Sequence, residues 1–290
     1  MKFGFVTCVQ LGLACMEEIY RIGGKLDLVM TLHDRLARDK SGRIYVDPFC
    51  ARHGIDVVKI RSVNDTEAVE TVRQREIDWL FIIGWSQIAR KKMLDAPRRG
   101  CLGMHPTLLP QGRGRAAIPW AILKGLDKTG VTLFKLDEGV DTGPILAQEV
   151  IPISPDETAT QLYERVAQAH RALISRIWHD LITDALVLHP QDETQATEWP
   201  ERKPEDGVIL PTMDCLYVDR LVRAVTRPYP GAFVDYGHTR YIIWGGRAHP
   251  GKHPSQNFAI DADHHLWFNT AGGCFEAIDW ESKPLETSTS

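Results

Sequence analysis

The sequence predicts an α/β fold, an open and mostly parallel sheet with helices on both faces, followed by a small β-rich C-terminal unit. Three observations carry this reading. Short apolar runs alternate with longer amphipathic segments through the first two thirds of the chain. The composition breaks at residues 191–207, where Asp, Glu, Thr and Pro replace apolar residues. Beyond the break come one helical segment and several short β-forming runs. Strand and helix in alternation imply right-handed crossovers and a parallel sheet, with ligands collecting at the carboxyl ends of its strands.

In chain order, residues 3–8, 26–32, 57–60, 79–83 and 101–105 read as buried strands, and 11–22 and 65–75 carry helical periodicity. Residues 118–124 predict a short helix with Pro119 in its first turn and Gly125 as its stop. Residues 129–134 and 145–151 are rich in β-formers and are expected to pair across their loop. Ser154-Pro155-Asp156-Glu157 has the order of a capping box, and the helix after it carries Leu162, Val166, Leu173 and Ile177 at core spacing. In the tail, a helix over 214–226 precedes strands at 232–236, 240–244, 258–260, 265–268 and 273–278, which suggests a small OB-like barrel or sandwich. The expected organisation is a catalytic domain over 1–190, a linker over 191–207, a β-rich domain over 208–285 and a frayed end at 286–290.

Composition removes several function classes. With 34 Lys+Arg against 38 Asp+Glu the chain lacks the basic surplus of a protein that grips many phosphates, so a large nucleic-acid footprint is disfavoured. No apolar run approaches the roughly 18 residues of a membrane span, and the start of the chain turns polar by Gln10, too soon for a signal peptide; the expected compartment is the cytoplasm. Cys8, Cys15, Cys50, Cys101, Cys215 and Cys274 form no CxxC pair, and neither they nor the tail histidines have metal-ligand spacing, so no metal is expected. The turn after the first strand, Thr7-Cys8-Val9-Gln10-Leu11-Gly12, is not GxGxxG, and no GxxxxGK[ST] occurs.

The informative stretch starts at Gly103-Met104-His105-Pro106-Thr107-Leu108-Leu109-Pro110 and runs through Gly112-Arg113-Gly114-Arg115 to Asp137-Glu138-Gly139-Val140-Asp141-Thr142-Gly143. A histidine at a strand end, fixed by the following Pro106, sits on a rigid mount, and its ordinary pKa of about 6.5 suits proton exchange near neutrality. Asp141, in a glycine-flanked turn, is placed to reach that imidazole, fix its tautomer and stabilise its charged form. Arg113 and Arg115 offer guanidinium groups that fit a carboxylate or phosphate, or equally a salt bridge to a nearby carboxylate. Asp141-Thr142-Gly143 also spells the aspartic-protease signature, but the second aspartate that chemistry requires is missing.

The joint order HPTLLPQGRGR, short helix, TGVTLF, then DEGVDTGPIL resembles the 10-formyltetrahydrofolate-dependent formyltransferases, densely over residues 79–185. In the tail, Leu221-Val222-Arg223-Ala224-Val225 and Pro228-Tyr229-Pro230-Gly231-Ala232-Phe233 resemble the C-terminal domain of the members acting on methionyl-tRNA and aminoarabinose. The resemblance implies His105 as the catalytic histidine, Asp141 as the aspartate that orients it, and 10-formyltetrahydrofolate as formyl donor. It places the pterin against Gly84, Trp85, Ser86, Gln87 and Ile88 and against the turn Leu136, Asp137, Glu138, Gly139 and Val140. One position departs: where the family has a catalytic asparagine, this chain has Gly103. The expected acceptor is a small-molecule amine, foremost a nucleotide-linked amino sugar. The alternatives are methionyl-tRNA and, because of Gly103, a folate or sugar-nucleotide binding protein without transfer; a homodimer is compatible with the tail.

Overall fold

Strands buried on both faces read as unbroken apolar runs, and the first half of the chain is built from them. The computed structural model describes residues 1–37 and 42–285. In order come β1 (Phe3–Val6), α1 (Gln10–Arg21), β2 (Leu28–Leu32), α2 (Asp34–Ala37), α3 (Asp47–His53), β3 (Val57–Ile60), α4 (Thr66–Gln74), β4 (Trp79–Ile82), α5 (Lys91–Leu94) and β5 (Gly100–His105). Then follow β6 (Arg113–Gly114), α6 (Ala117–Leu123), β7 (Lys128–Lys135), β8 (Ile145–Pro152), α7 (Ala159–Thr183) and β9 (Glu198–Trp199). The tail holds α8 (Cys215–Val225), β10 (Ala232–Tyr236), β11 (Thr239–Pro250), β12 (Phe258–Ile260), β13 (Leu266–Thr270) and β14 (Gly273–Pro284).

The large sheet has the order β3-β2-β1-β4-β5-β7-β8. Its first five strands run parallel, and β7 and β8 add an antiparallel edge. Val6, Leu28, Met30, Leu80 and Cys101 on the strands pack with Val69 and Val72 of α4 and Met93 of α5 in one apolar cluster. His105 ends β5, at the carboxyl edge of the parallel strands, and pairs with Thr132 of β7. The six cysteines form no disulfide and are buried, as small core residues. No helix among the described residues is long and apolar enough to cross a membrane.

The chain divides into two compact units. One comprises Met1–Ala117, Lys128–Pro152 and Glu164–Trp199; the other comprises Ile118–Asp127, Ile153–Tyr163 and the chain from Pro200. The segment expected as a linker, 191–207, is thus shared between them at Trp199. The end expected to fray, 286–290, lies outside the described residues.

One local expectation needs correction. The capping box that starts α7 is Thr158 with Gln161, not Ser154 with Glu157. Gln161 Oε1 accepts the Thr158 amide at 2.9 Å, and Thr158 Oγ1 accepts the Gln161 amide at 3.3 Å. Glu157 Oε2 does accept the Ser154 amide at 3.1 Å, but it closes a turn ahead of the helix. The tail strands form the expected β-rich unit, a five-stranded antiparallel sheet in the order β10-β11-β14-β13-β12. Register shifts at Gly245 and Gly246 let β11 bend. The sheet curls into a half-barrel whose edge strands touch through the stacked rings of Tyr236 and Phe258, with centroids 4.1 Å apart.

Candidate active site

The loop after β5 is held by one buried hydroxyl. Thr132 Oγ1 donates to the Thr107 carbonyl at 2.7 Å and accepts from the Leu109 amide at 3.0 Å and from Gln148 Nε2 at 2.8 Å. That is the full capacity of a hydroxyl, so the residues after His105 have a fixed path. His105 itself is buried. Its Nε2 lies 2.7 Å from the Gly112 carbonyl, which can only accept, so Nε2 carries a proton and donates it. Nδ1 faces Asp141 Oδ2 at 3.5 Å. The tautomer is therefore set by a backbone carbonyl, where the sequence expected the aspartate to set it. A proton on Nδ1 would complete an imidazolium held between a carbonyl and a carboxylate.

Asp141 sits in a left-handed conformation, φ 56°, which a non-glycine residue adopts only under constraint. Its Oδ2 accepts the Gly114 amide at 2.9 Å. Two glycines allow this closeness. Gly114 has φ 108° and a Cβ there would lie 2.4 Å from the Trp199 carbonyl; a Cβ on Gly143 would lie 1.8 Å from the Lys135 carbonyl. The turn before Asp141 is closed from within, because Asp137 Oδ1 accepts both the Gly139 amide and the Thr142 hydroxyl.

The segment 191–199 clamps the glycine-rich strip. Thr197 Oγ1 accepts the Gly112 amide at 2.9 Å, the Thr197 carbonyl accepts the Arg113 amide at 2.9 Å, and β9 pairs with β6. Arg113 is buried, and its guanidinium donates to both Glu193 oxygens, at 2.8 and 2.7 Å, and to Gln191 Oε1. The hydrogen bonds from Arg113 hold the Glu193 carboxyl below the usual carboxylate range. Arg113 is thus engaged within the protein, and the anion-clamp expectation for it does not hold. Arg115 is on the outside of the strip, with a guanidinium nitrogen 3.3 Å from the Ser86 carbonyl.

The structure brings Trp85, Ser86 and Gln87 together with Cys8, Leu32, Leu36 and Arg61 around a cavity of about 300 Å³ at the ends of β1 to β4. The Gln87 side chain is consumed in bracing, its Oε1 on the Val63 amide and its Nε2 on the Arg61 carbonyl. Trp85 and Leu136 pack on the apolar cluster below, and Trp85 Nε1 is buried without a partner among the described residues. Ile88 and Val140 are exposed, and Glu138 reaches Lys91 at 3.6 Å. Gly103 shares a strand face with His105, two residues on. Sequence reasoning missed Cys8 and Arg61, whose only signal is their place at strand ends, and it missed Gln191, Glu193 and Thr197 altogether.

Known proteins resemble this chain along most of its length. Residues 22–177 match the formyl transferase family, and residues 202–286 match the formyl transferase C-terminal domain. A methionyl-tRNA formyltransferase of Agathobacter rectalis is 30% identical over 254 residues, 87% of this chain and 82% of that protein. Another, of Geobacter sulfurreducens, is 31% identical over 261 residues, 87% of this chain and 81% of its own. Among solved structures, an N-formyltransferase from Helicobacter canadensis, in complex with folinic acid and dTDP-3-aminofucose, shares the fold. Its TM-score is 0.69 at 16% identity, covering 96% of this chain and 98% of that one. With both family domains matched in order around the His105 loop and the half-barrel tail, the chain belongs to the formyltransferase family of enzymes.

Proposed function

We propose that this enzyme transfers a formyl group from 10-formyltetrahydrofolate to the primary amine of a small molecule, most specifically a nucleotide-linked amino sugar. The observation that carries the reading is the placement of His105, with Nε2–H on the Gly112 carbonyl and Nδ1 toward Asp141. When bound, the donor supplies the electrophilic formyl carbon and a nitrogen leaving group. The residues present fit a flat, polar-edged ring system: an aromatic and apolar cavity wall at Trp85 and Leu32, a buried indole N–H without a partner among the described residues, and the exposed residues 137–140 of the neighbouring turn.

His105 then has two tasks. Its Nε2–H is the donor that can leave the Gly112 carbonyl for an oxygen gaining charge in the tetrahedral state. With Nδ1 also protonated against Asp141, Nε2 gives its proton to the departing nitrogen and takes up the one that the attacking amine loses, so the ring ends as it began. Gly103 supplies no side chain to this work, so the oxyanion relies on the imidazole, a backbone amide or water.

The acceptor assignment rests on the absence of a basic surplus, with a net charge of −4, and on the amino-sugar nucleotide bound to the Helicobacter canadensis protein of the same fold. The sequence relatives favour a second reading, methionyl-tRNA as acceptor. Purified protein is to be incubated with 10-formyltetrahydrofolate and either a panel of dTDP-, UDP- and GDP-amino sugars or charged methionyl-tRNA. Formylated sugar supports the first reading and formylmethionyl-tRNA the second; no formylated product from either sinks both.

A further inference from the structure

We propose that Gln191 is a positioning residue for the His105–Asp141 pair. The inference rests on the reading that this pair carries formyl transfer. Gln191 uses all four hydrogen-bonding positions of its amide. Oε1 accepts from Arg113 Nε at 3.2 Å and from an Arg113 terminal nitrogen at 2.8 Å; Nε2 donates to the Asp141 carbonyl at 2.8 Å and the Gly143 carbonyl at 2.7 Å. The orientation of the amide is forced, because a guanidinium only donates and a carbonyl only accepts.

Each end of that amide holds one half of the site. The donor end grips the backbone on both sides of Thr142, which fixes Asp141 in its left-handed conformation; strained backbone of this kind persists only where its surroundings over-determine it. The acceptor end grips Arg113, and the two neighbours of Arg113 are the groups that touch the pair. The Gly112 carbonyl takes Nε2–H of His105, and the Gly114 amide donates to Asp141 Oδ2. One side chain therefore sets the carboxylate and the ring's acceptor in a common frame without touching the ring. Glu193 closes the frame by holding the other edge of the Arg113 guanidinium.

The test uses the full chain with Gln191→Ala and Gln191→Glu. Glutamate keeps acceptors for Arg113 but turns oxygens toward two carbonyls; alanine removes both ends. Both variants are expected to lower kcat by about 10- to 100-fold, the scale of a displacement near 1 Å at a reacting group. KM for the formyl donor should stay within about threefold, and the ring ¹⁵N resonances of His105 should change in protein free of substrate. Wild-type kcat in Gln191→Glu overturns the proposal. So does an unchanged His105 ¹⁵N spectrum alongside a rate loss that follows only the folded fraction. The ¹⁵N comparison needs no turnover, so it decides on Gln191 even if the unmodified enzyme formylates no amine and the proposed function falls.

Discussion

Leu136 fills the space that a side chain on Gly103 would need: a Cβ there would lie 2.6 Å from Leu136 Cδ2 and 3.2 Å from its Cγ. The asparagine that the resemblance implies at this position is therefore not simply missing here, since an apolar side chain from the next turn stands in that volume. Gly103→Asn is expected to destabilise the fold by about 1–3 kcal/mol, the usual cost of overfilling a packed site. Adding Leu136→Ala should return part of that loss. Urea unfolding of the two variants checks this, and a single variant as stable as the native chain would show that Leu136 yields freely.

Asp141→Asn separates charge from shape. An amide oxygen at that position can still accept the Gly114 amide, so the turn should keep its path and unfolding should shift by less than about 1 kcal/mol. What is lost is the negative charge 3.5 Å from Nδ1. If that charge balances an imidazolium during transfer, kcat should fall by about 10²- to 10⁴-fold, as for removal of acid–base assistance. A variant with near-native turnover would mean that Asp141 serves only the backbone.

Arg113 gives the opposite signature. Its guanidinium is buried and bonded to Glu193 and Gln191, so Arg113→Ala should strand their acceptors and loosen the 191–199 segment. We expect a stability loss of about 1.5–3 kcal/mol, the range for hydrogen bonds to a charged group. Glu193 is mostly exposed, so the lower end is the better guide. The informative measurement is KM for the amine set beside the unfolding midpoint. A large rise in KM with unchanged stability would restore Arg113 as an anion clamp.

These cases mark what was legible in the sequence. Buried strands such as β1, β2 and β4 announce themselves because both faces are covered and nearly every position is apolar. The partner of Arg113 is 80 residues away in the chain, and no local spacing reports it. Residues 191–199 looked like a linker because composition counts polarity and not partners; Gln191, Glu193 and Thr197 are polar, and their polar groups are spent on the strip that carries the Gly112 carbonyl. The capping box was set four residues early because Ser154 with Glu157 and Thr158 with Gln161 are the same chemistry in tandem, and only packing selects which one opens the helix. The β-rich tail was legible as a unit, but not how its edges meet. Strand count is visible in the pattern, but whether β10 meets β12 through backbone or through rings is decided by curvature.

A last prediction comes from His170, on α7, which is 1% exposed and donates Nδ1–H to the Val166 carbonyl at 2.8 Å. Burial depresses its pKa from the ordinary 6.5 to about 4; the Val166 contact opposes this and the nearby His105 adds to it. The folded chain thus binds fewer protons at this residue than the unfolded chain between pH 6.5 and 4. Its contribution is complete above about pH 6.5, declines as the pH falls toward 4, and is flat below. The full difference corresponds to about 3 kcal/mol as an order of magnitude. Other groups titrate in the same window, so the comparison has to be made against His170→Gln, whose amide can still donate to Val166 but carries no titrating proton. That variant is expected to be less stable at pH 7.5 through imperfect packing, yet to lose less on going to pH 4.5. Urea unfolding at the two pH values measures both slopes. Equal slopes would mean that water reaches the ring and that its burial does not couple to protons.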